Sequence, residues 1–249
     1  MNCRYPVAGL PVDFVDYEMA YESVIRWRQL GSRGYVCLTN PHSVMMCQRD
    51  PQMHQATSNA GLILPDGVGM VLAARMLGWP CHGRVSGPTL MLKICDWGRR
   101  HGLRHYLLGG KPGVPEQLAR RLQSEYPGIM IVGTCSPPFR PLPTAEDAEL
   151  CEAVNRAQPD IVWIGLGAPK QEKWMADHAD QVRATAMIGV GAAFDFHAGT
   201  VPWAPAWMRK CGLEWLHRLY QQPLRMWRRN LDSFRFMSLI ILQYIQRSY

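Results

Sequence analysis

Along most of this chain, short apolar runs alternate with longer stretches in which apolar residues recur at three- and four-residue steps. The short runs are Tyr35 to Thr39, Leu62 to Leu64, Arg104 to Leu108, Ile129 to Val132, Asp160 to Leu166 and Thr185 to Val190. Runs this short, bounded mostly by glycine, proline or asparagine, predict strands buried on both faces. The stretches between them predict helices over Tyr17 to Leu30, Pro41 to near Ser58, Gly67 to Leu77, Gly87 to His101, Pro112 to Tyr126, Thr144 to Ala157 and Pro169 to His178. Asn40 ahead of Pro41 has the form of a helix cap followed by a first-turn proline. Ser136 to Pro143 reads as a rigid, proline-rich loop. Strands alternating with helices predict an α/β fold, a Rossmann-like, mostly parallel sheet with helices on both faces. The first thirty residues predict only a strand-turn-helix lead-in.

After Gly199 no strand pattern follows. Leu213, Leu216, Tyr220, Leu224, Trp227, Leu231, Phe234, Ile241 and Ile245 recur mostly at helical steps, and Pro223 divides the region into two helices. Arg225, Arg228, Arg229 and Arg235 fall mostly off that stripe. The expected organisation is an α/β unit over residues 1–208 and a basic, amphipathic helical appendage over 209–249.

Charge sharpens the division. The net charge is +7, and from Arg209 onward eight basic residues face only Glu214 and Asp232. A near-neutral body with a basic, tryptophan-rich tail predicts an anionic partner: a membrane surface, a nucleic acid or a phosphorylated substrate. The same tail also fits a helix pair packed on the sheet. No run reaches the ~18 apolar residues of a membrane span. The eight cysteines show no C-x-x-C spacing, and the opening MNCRYPVAGLP has no apolar leader segment. A reducing, cytoplasmic setting is expected.

Candidate chemistry gathers at the predicted strand ends, where open α/β sheets bind ligands. Asp66, in Pro65-Asp66-Gly67, is either a helix cap or a general base. Gly109-Gly110 opens a helix and suits a phosphate. Gly165-x-Gly167-x-Pro169-Lys170-Gln171-Glu172 lets a ligand approach the backbone, with Lys170 and Gln171 on the first helical turn. Neither glycine cluster completes G-x-G-x-x-G, which disfavours a dinucleotide oxidoreductase. Arg84 is a candidate diphosphate clamp, and Asp195 a strand-end carboxylate that could instead hold a turn. His42, His54, His197 and His217 lack metal-ligand spacing and read as structural. No Asp-x-Asp pair occurs in the chain, so arginines and backbone amides would have to bear a diphosphate's charge.

In order along the chain stand Thr39-Asn40, Pro65-Asp66-Gly67, Arg84-Val85-x-Gly87, Leu108-Gly109-Gly110, Tyr126-Pro127, Gly165-x-Gly167-x-Pro169-Lys170-Gln171-Glu172, Gly189-Val190-Gly191 and Gly212-Leu213-Glu214-Trp215, with Arg218, Pro223 and Arg225 beyond. This set resembles the bacterial WecG/TagA/CpsF glycosyltransferases from about Tyr35 to Arg229. The resemblance implies an inverting transfer, without metal or other cofactor, from a UDP-sugar to a saccharide on a polyprenyl diphosphate. The implied setting is cell-surface polysaccharide synthesis, peripheral on the inner face of the cell membrane. It implies Asp66 as base, Thr39 and Gln171 in the substrate pocket, and Arg84 as a phosphate or acceptor contact. Asn40, Gly109, Gly110, Gly167, Lys170 and Asp195 complete the candidate substrate-binding set. Arg218, Arg225 and Arg228 would belong to an appendage that closes over the site. The expected partners are the donor, the lipid-linked acceptor, an anionic membrane and a possible second copy of the chain. Nucleic acid is not expected, although a nucleic-acid-binding protein remains the competing reading of the tail. Trp203-Ala204-Pro205 replaces the family's Arg-Ala-Pro, and Thr89-Leu90 replaces its Asp-Leu.

Overall fold

The computed structural model describes residues 4–248, without the side chains of Arg225, Arg228 and Ser248. Strands β1 (Arg4–Val7) and β2 (Leu10–Asp13) form an antiparallel hairpin. It is a separate two-stranded unit rather than part of the main sheet. The Asp13 carboxylate accepts the Ile63 amide at 2.8 Å, and Arg4 donates to the carbonyls of Ala60 and Gly61. These bonds satisfy backbone groups at one edge of the main sheet that pairing leaves open.

The main sheet contains β3 (Gly34–Thr39), β4 (Leu62–Pro65), β5 (Arg104–Gly109), β6 (Met130–Cys135), β7 (Ile161–Gly165) and β8 (Ala186–Gly189). Its order is β4-β3-β8-β7-β5-β6, and every pairing is parallel. Side chains alternate along each strand, so two cores form. Tyr35, Cys37, Ile63, Leu108, Ile164 and Met187 enter one core, and Val36, Leu38, Leu62, Leu64, Trp163 and Ile188 enter the other.

The first core is covered by α2 (Pro41–Arg49), α3 (Pro51–Ser58), α4 (Val68–Met76), α7 (Thr144–Arg156), α8 (Lys170–Asp177) and α12 (Pro223–Ser248). The second is covered by α1 (Tyr17–Gln29), α5 (Gly87–Trp97), α6 (Val114–Glu125) and α9 (Ala193–Ala198). Helices thus lie on both faces, as the alternation predicts.

Two expectations on this frame change. The single helix expected from Pro41 to Ser58 is two helices. Pro51 lacks an amide hydrogen and forces Asp50 out of the helical region, to φ −127° and ψ 98°. Asp50 then caps α3 by accepting from Met53 N at 3.1 Å. The helix expected to reach His101 leaves α-geometry after Trp97 and continues as a 3-10 turn over Gly98–His101.

Beyond α9 come two short helices, α10 (Ala206–Lys210) and α11 (Glu214–Gln221), and then α12, which begins at Pro223. One side of α12 sends Phe236 and Ile240 into the first core, where each is fully buried. Burying each contributes about 1.5–3 kcal/mol. Asp232, on the same helix and only 3% exposed, receives Arg49 of α2 through two bonds of 2.5 and 3.3 Å. The stripe read from the sequence is the other side of the appendage. There Tyr220, Leu224, Trp227 and Phe234 are 88%, 92%, 63% and 74% exposed.

Candidate active site

Asp66 leaves the carboxyl end of β4, and its amide donates to Thr39 O at 2.8 Å, which extends the β3–β4 ladder by one bond. The residue that caps α4 is Gly67, at φ 90° and ψ 155°, and no side chain caps this helix. The capping role open to Asp66 in the sequence is therefore not the one it takes. Gly69 brings the first turn of α4 against α2, since a Cβ there would stand 2.5 Å from Pro41 Cγ.

The carboxylate lines a cavity of about 390 Å³. Asn40 and His42 enter it from the start of α2, and Arg84 from the segment before α5. Glu214, Trp215 and Arg218 of α11 and Met226, Arg229, Asn230, Ser233 and Phe234 of α12 form the remaining wall. The appendage thus closes a pocket that the strand ends only begin. Gly212 permits the close fit: it sits at φ +75°, and a Cβ there would lie 2.3 Å from Val68 Cγ2.

Burial pushes the Asp66 carboxyl up from 3.8 to about 6, and the neighbouring charge of Glu214 pushes in the same direction. Arg84, Arg218 and Arg229 pull it back down. A carboxylate so placed is ionised at neutral pH yet more basic than an exposed aspartate. Arg84 is itself anchored, with Nη2 donating to Arg209 O at 2.5 Å. The Arg209 guanidinium lies 3.6 Å over the ring of Trp203, and Trp203 meets His197 edge-on at 5.0 Å. Trp203 therefore packs on the residue whose carbonyl anchors Arg84. Thr89 Oγ1 accepts from Ser86 Oγ at 3.0 Å, within the first turn of α5.

The other sequence candidates divide. Asn40 lines the cavity and also caps α2 by accepting from Ser43 N at 3.0 Å. Thr39 is 1% exposed and does not line the cavity, though its carbonyl accepts the Asp66 amide. Gly109, Gly110, Gly167, Lys170 and Gln171 form a second cluster along the same sheet edge. By strand spacings of ~4.8 Å, Gly167 lies roughly 14 Å and Gly109 roughly 19 Å from Asp66.

In that second cluster Gly109 abuts Gly165, where a Cβ would be 2.5 Å from the carbonyl carbon. The Gly110 amide is committed to Gly165 O at 3.1 Å, so it does not point free toward a phosphate. Gln171 turns inward and is 6% exposed. Its Nε2 donates to Glu172 Oε1 at 2.9 Å, while its buried Oε1 has no partner beside Gly191. Lys170 stands over the Phe139 ring at 5.8 Å. Asp195 lies outside the cavity, and its Oδ1 accepts the Thr200 hydroxyl at 3.2 Å just beyond α9. The side chains of Arg225 and Arg228 lie outside the described residues.

Two cavity residues stand outside the sequence candidates: Glu214, which acts on Asp66, and His42, which is paired with Asp232. Only Glu214 carried a signal, as part of the Gly-Leu-Glu-Trp block. His42 and Asp232 are 190 residues apart and meet only because α12 folds back onto α2.

A family model described as the glycosyl transferase WecG/TagA/CpsF family matches residues 5–249. Similar proteins named N-acetylglucosaminyldiphosphoundecaprenol N-acetyl-beta-D-mannosaminyltransferase come from three bacteria. The one from Bacillus spizizenii is 27% identical over 233 residues, spanning 92% of this chain and 88% of the relative. The one from Bacillus subtilis is 30% identical over 197 residues, spanning 79% and 75%. The one from Staphylococcus aureus is 29% identical over 184 residues, spanning 74% and 70%.

Proposed function

The chain belongs to the WecG/TagA/CpsF family of glycosyltransferases, and on that premise we propose that it moves a sugar from a UDP-sugar to a saccharide carried on a polyprenyl diphosphate. The observation that carries this reading is Asp66, a carboxylate raised to about pKa 6, in a cavity shared with Arg84 and Arg218. Asp66 takes the proton of an acceptor hydroxyl. That oxygen attacks the anomeric carbon from the side opposite the diphosphate and inverts it. Arg84 and Arg218 stabilise the charge that grows on the departing UDP, which is the service a metal ion gives elsewhere. Gln171, with its unpartnered Oε1 beside Gly191, supports a uridine site along the same edge. There a donor N–H would complete the bonding of a buried acceptor. Thr39, buried at the end of β3, lies in the sheet between the strands that carry Asp66 and Gly189.

The named activity of the relatives supports the acceptor class and suggests the first substrates to try. The decisive assay offers UDP-N-acetylmannosamine and other UDP-sugars together with a short-chain N-acetylglucosaminyl diphosphate lipid, with and without chelator. The expected product is an inverted glycoside, formed at the same rate in EDTA. A requirement for a divalent ion, or retention at the anomeric carbon, would overturn the mechanism.

Residues 209–249 then act as one unit that completes the cavity and rests on the cytoplasmic membrane face. No helix among the described residues is long and apolar enough to cross a membrane, so this contact is peripheral. Its support is the exposed stripe of Tyr220, Leu224 and Trp227 next to a surplus of arginine. Each basic residue near an anionic leaflet contributes about 1 kcal/mol. Replacing both Leu224 and Trp227 by Asp is expected to lower flotation with anionic vesicles at least tenfold. Transfer to a water-soluble acceptor should stay within twofold of wild type. Unchanged flotation would refute the membrane role, and loss of a dimer on gel filtration would assign the stripe to a second copy.

A further inference from the structure

Building on that reading, we propose that His42, Asn230 and Ser233 form the subsite that holds the acceptor's sugar against Asp66. His42 stands on the first turn of α2 and lines the cavity, with its side chain 25% exposed. Its Nδ1 lies 2.7 Å from Asp232 Oδ2. Asp232 is already held by Arg49, with Arg235 3.5 Å away, so it is an ionised carboxylate that can only accept. That places a proton on Nδ1, so in the neutral ring Nε2 is a lone pair. Burial holds the ring toward its neutral form, against the pull of Asp232.

The cavity thereby offers both hydrogen-bonding senses. Arg84, Arg218 and Arg229 can only donate and suit phosphate oxygens. The neutral His42 edge can only accept, so it suits a hydroxyl or an amide N–H and would repel a phosphate oxygen. Asn230 and Ser233 add an amide and a hydroxyl from α12. These are the groups with which proteins read sugar hydroxyls.

The position selects the acceptor rather than the donor. Phe234, beside Ser233, lines the cavity and is also 74% exposed on the apolar stripe. A saccharide whose lipid lies along that stripe would place its sugar beside Ser233, Asn230 and His42, with its hydroxyl toward Asp66.

The test pairs variants with a series of lipid-diphosphate acceptors, each lacking one sugar hydroxyl or the acetamido group. His42→Ala is expected to raise the acceptor KM about tenfold and leave the donor KM unchanged. One deletion in the acceptor should cost wild type about tenfold and cost the variant nothing further, the coupling expected of a direct contact. His42→Gln, which keeps an acceptor oxygen, should recover part of the loss. The Arg49–Asp232 pair persists in both variants and keeps α12 in place. The subsite is refuted if every acceptor loses the same factor in both proteins, or if the donor KM rises instead. Wild-type turnover of the intact acceptor is measured first. Its absence would bring down the transferase reading itself, a different result from turnover without coupling.

Discussion

Asp66→Asn is expected to lower transfer about 10³-fold, within the usual reach of a general base, while UDP affinity stays within twofold. The same substitution should raise the melting temperature above about pH 6. The folded protein holds the Asp66 proton up to a pKa of about 6, against 3.8 without the burial. Below 3.8 the carboxyl is protonated in both states and costs nothing. As pH rises through 3.8 toward 6 the unfolded chain ionises first, and above 6 the full cost of a buried charge is borne by the fold. Each pKa unit corresponds to 1.36 kcal/mol, so two units, discounted for partial exposure, give about 1–2 kcal/mol. For a chain of this size that is roughly 2–8 °C. Isotope-transfer kinetics, UDP titration and melting curves at pH 5 and pH 8 check the three parts. A variant that is inactive but also less stable at pH 8 would mean the carboxylate is structural.

Gly212→Ala should reduce transfer about 10²-fold through geometry alone, since a 1 Å displacement of catalytic groups can cost that much. A methyl group at Gly212 would stand 2.3 Å from Val68 Cγ2, at a backbone φ of +75°. Valine is stiff at χ1, so relief comes by moving the start of α11 away from α4. That shift carries Glu214, Trp215 and Arg218 out of the cavity wall. The left-handed backbone adds about 1–2 kcal/mol of strain. Adding Val68→Ala should restore much of the activity by removing the clash, while the cost of the backbone conformation remains. Full activity in the single variant would show that the appendage need not sit closely on the Pro-Asp-Gly turn.

The sheet was legible because each strand is a short apolar run whose alternate residues feed two cores. Leu62 and Leu64 enter one core and Ile63 the other, so nothing polar interrupts the run. The Asp50–Pro51 break was not read, since proline suits both the start of a helix and its interruption, and apolar spacing continued across it. The β1–β2 hairpin escaped because two four-residue strands joined through Ala8 and Gly9 carry little periodic signal.

In the appendage, periodicity identified a helix but picked its exposed side. Met226, Phe236 and Ile240 interleave with Leu224, Trp227 and Ile241, so α12 is apolar around much of its circumference, and spacing alone does not say which face is buried.

The site shows the same division. Asp66 and Asn40 sit at turns next to strand ends, where local sequence announces a carboxyl edge, and Arg84 reaches that edge because Val85 N donates to Pro65 O at the end of β4. Arg218 entered through the family motif. His42 belongs to the same strand end as Asn40, but its partner Asp232 and the approach of Glu214 to Asp66 depend on the return of the chain after Pro205, a tertiary fact that spacing does not show. Asp195 follows a strand end in the sequence as Asp66 does, yet it sits in α9 outside the cavity, where its Oδ1 accepts the Thr200 hydroxyl.

The pH dependence of kcat/KM for the wild-type transfer reaction bears most directly on the claim that Asp66, raised by burial and by Glu214, is the base. The rate should climb tenfold per pH unit at low pH, bend near pH 6 and stay level to pH 8, and Glu214→Gln should move the bend toward lower pH. A profile flat from pH 5 to 8, or a bend that Glu214→Gln leaves in place, would contradict it.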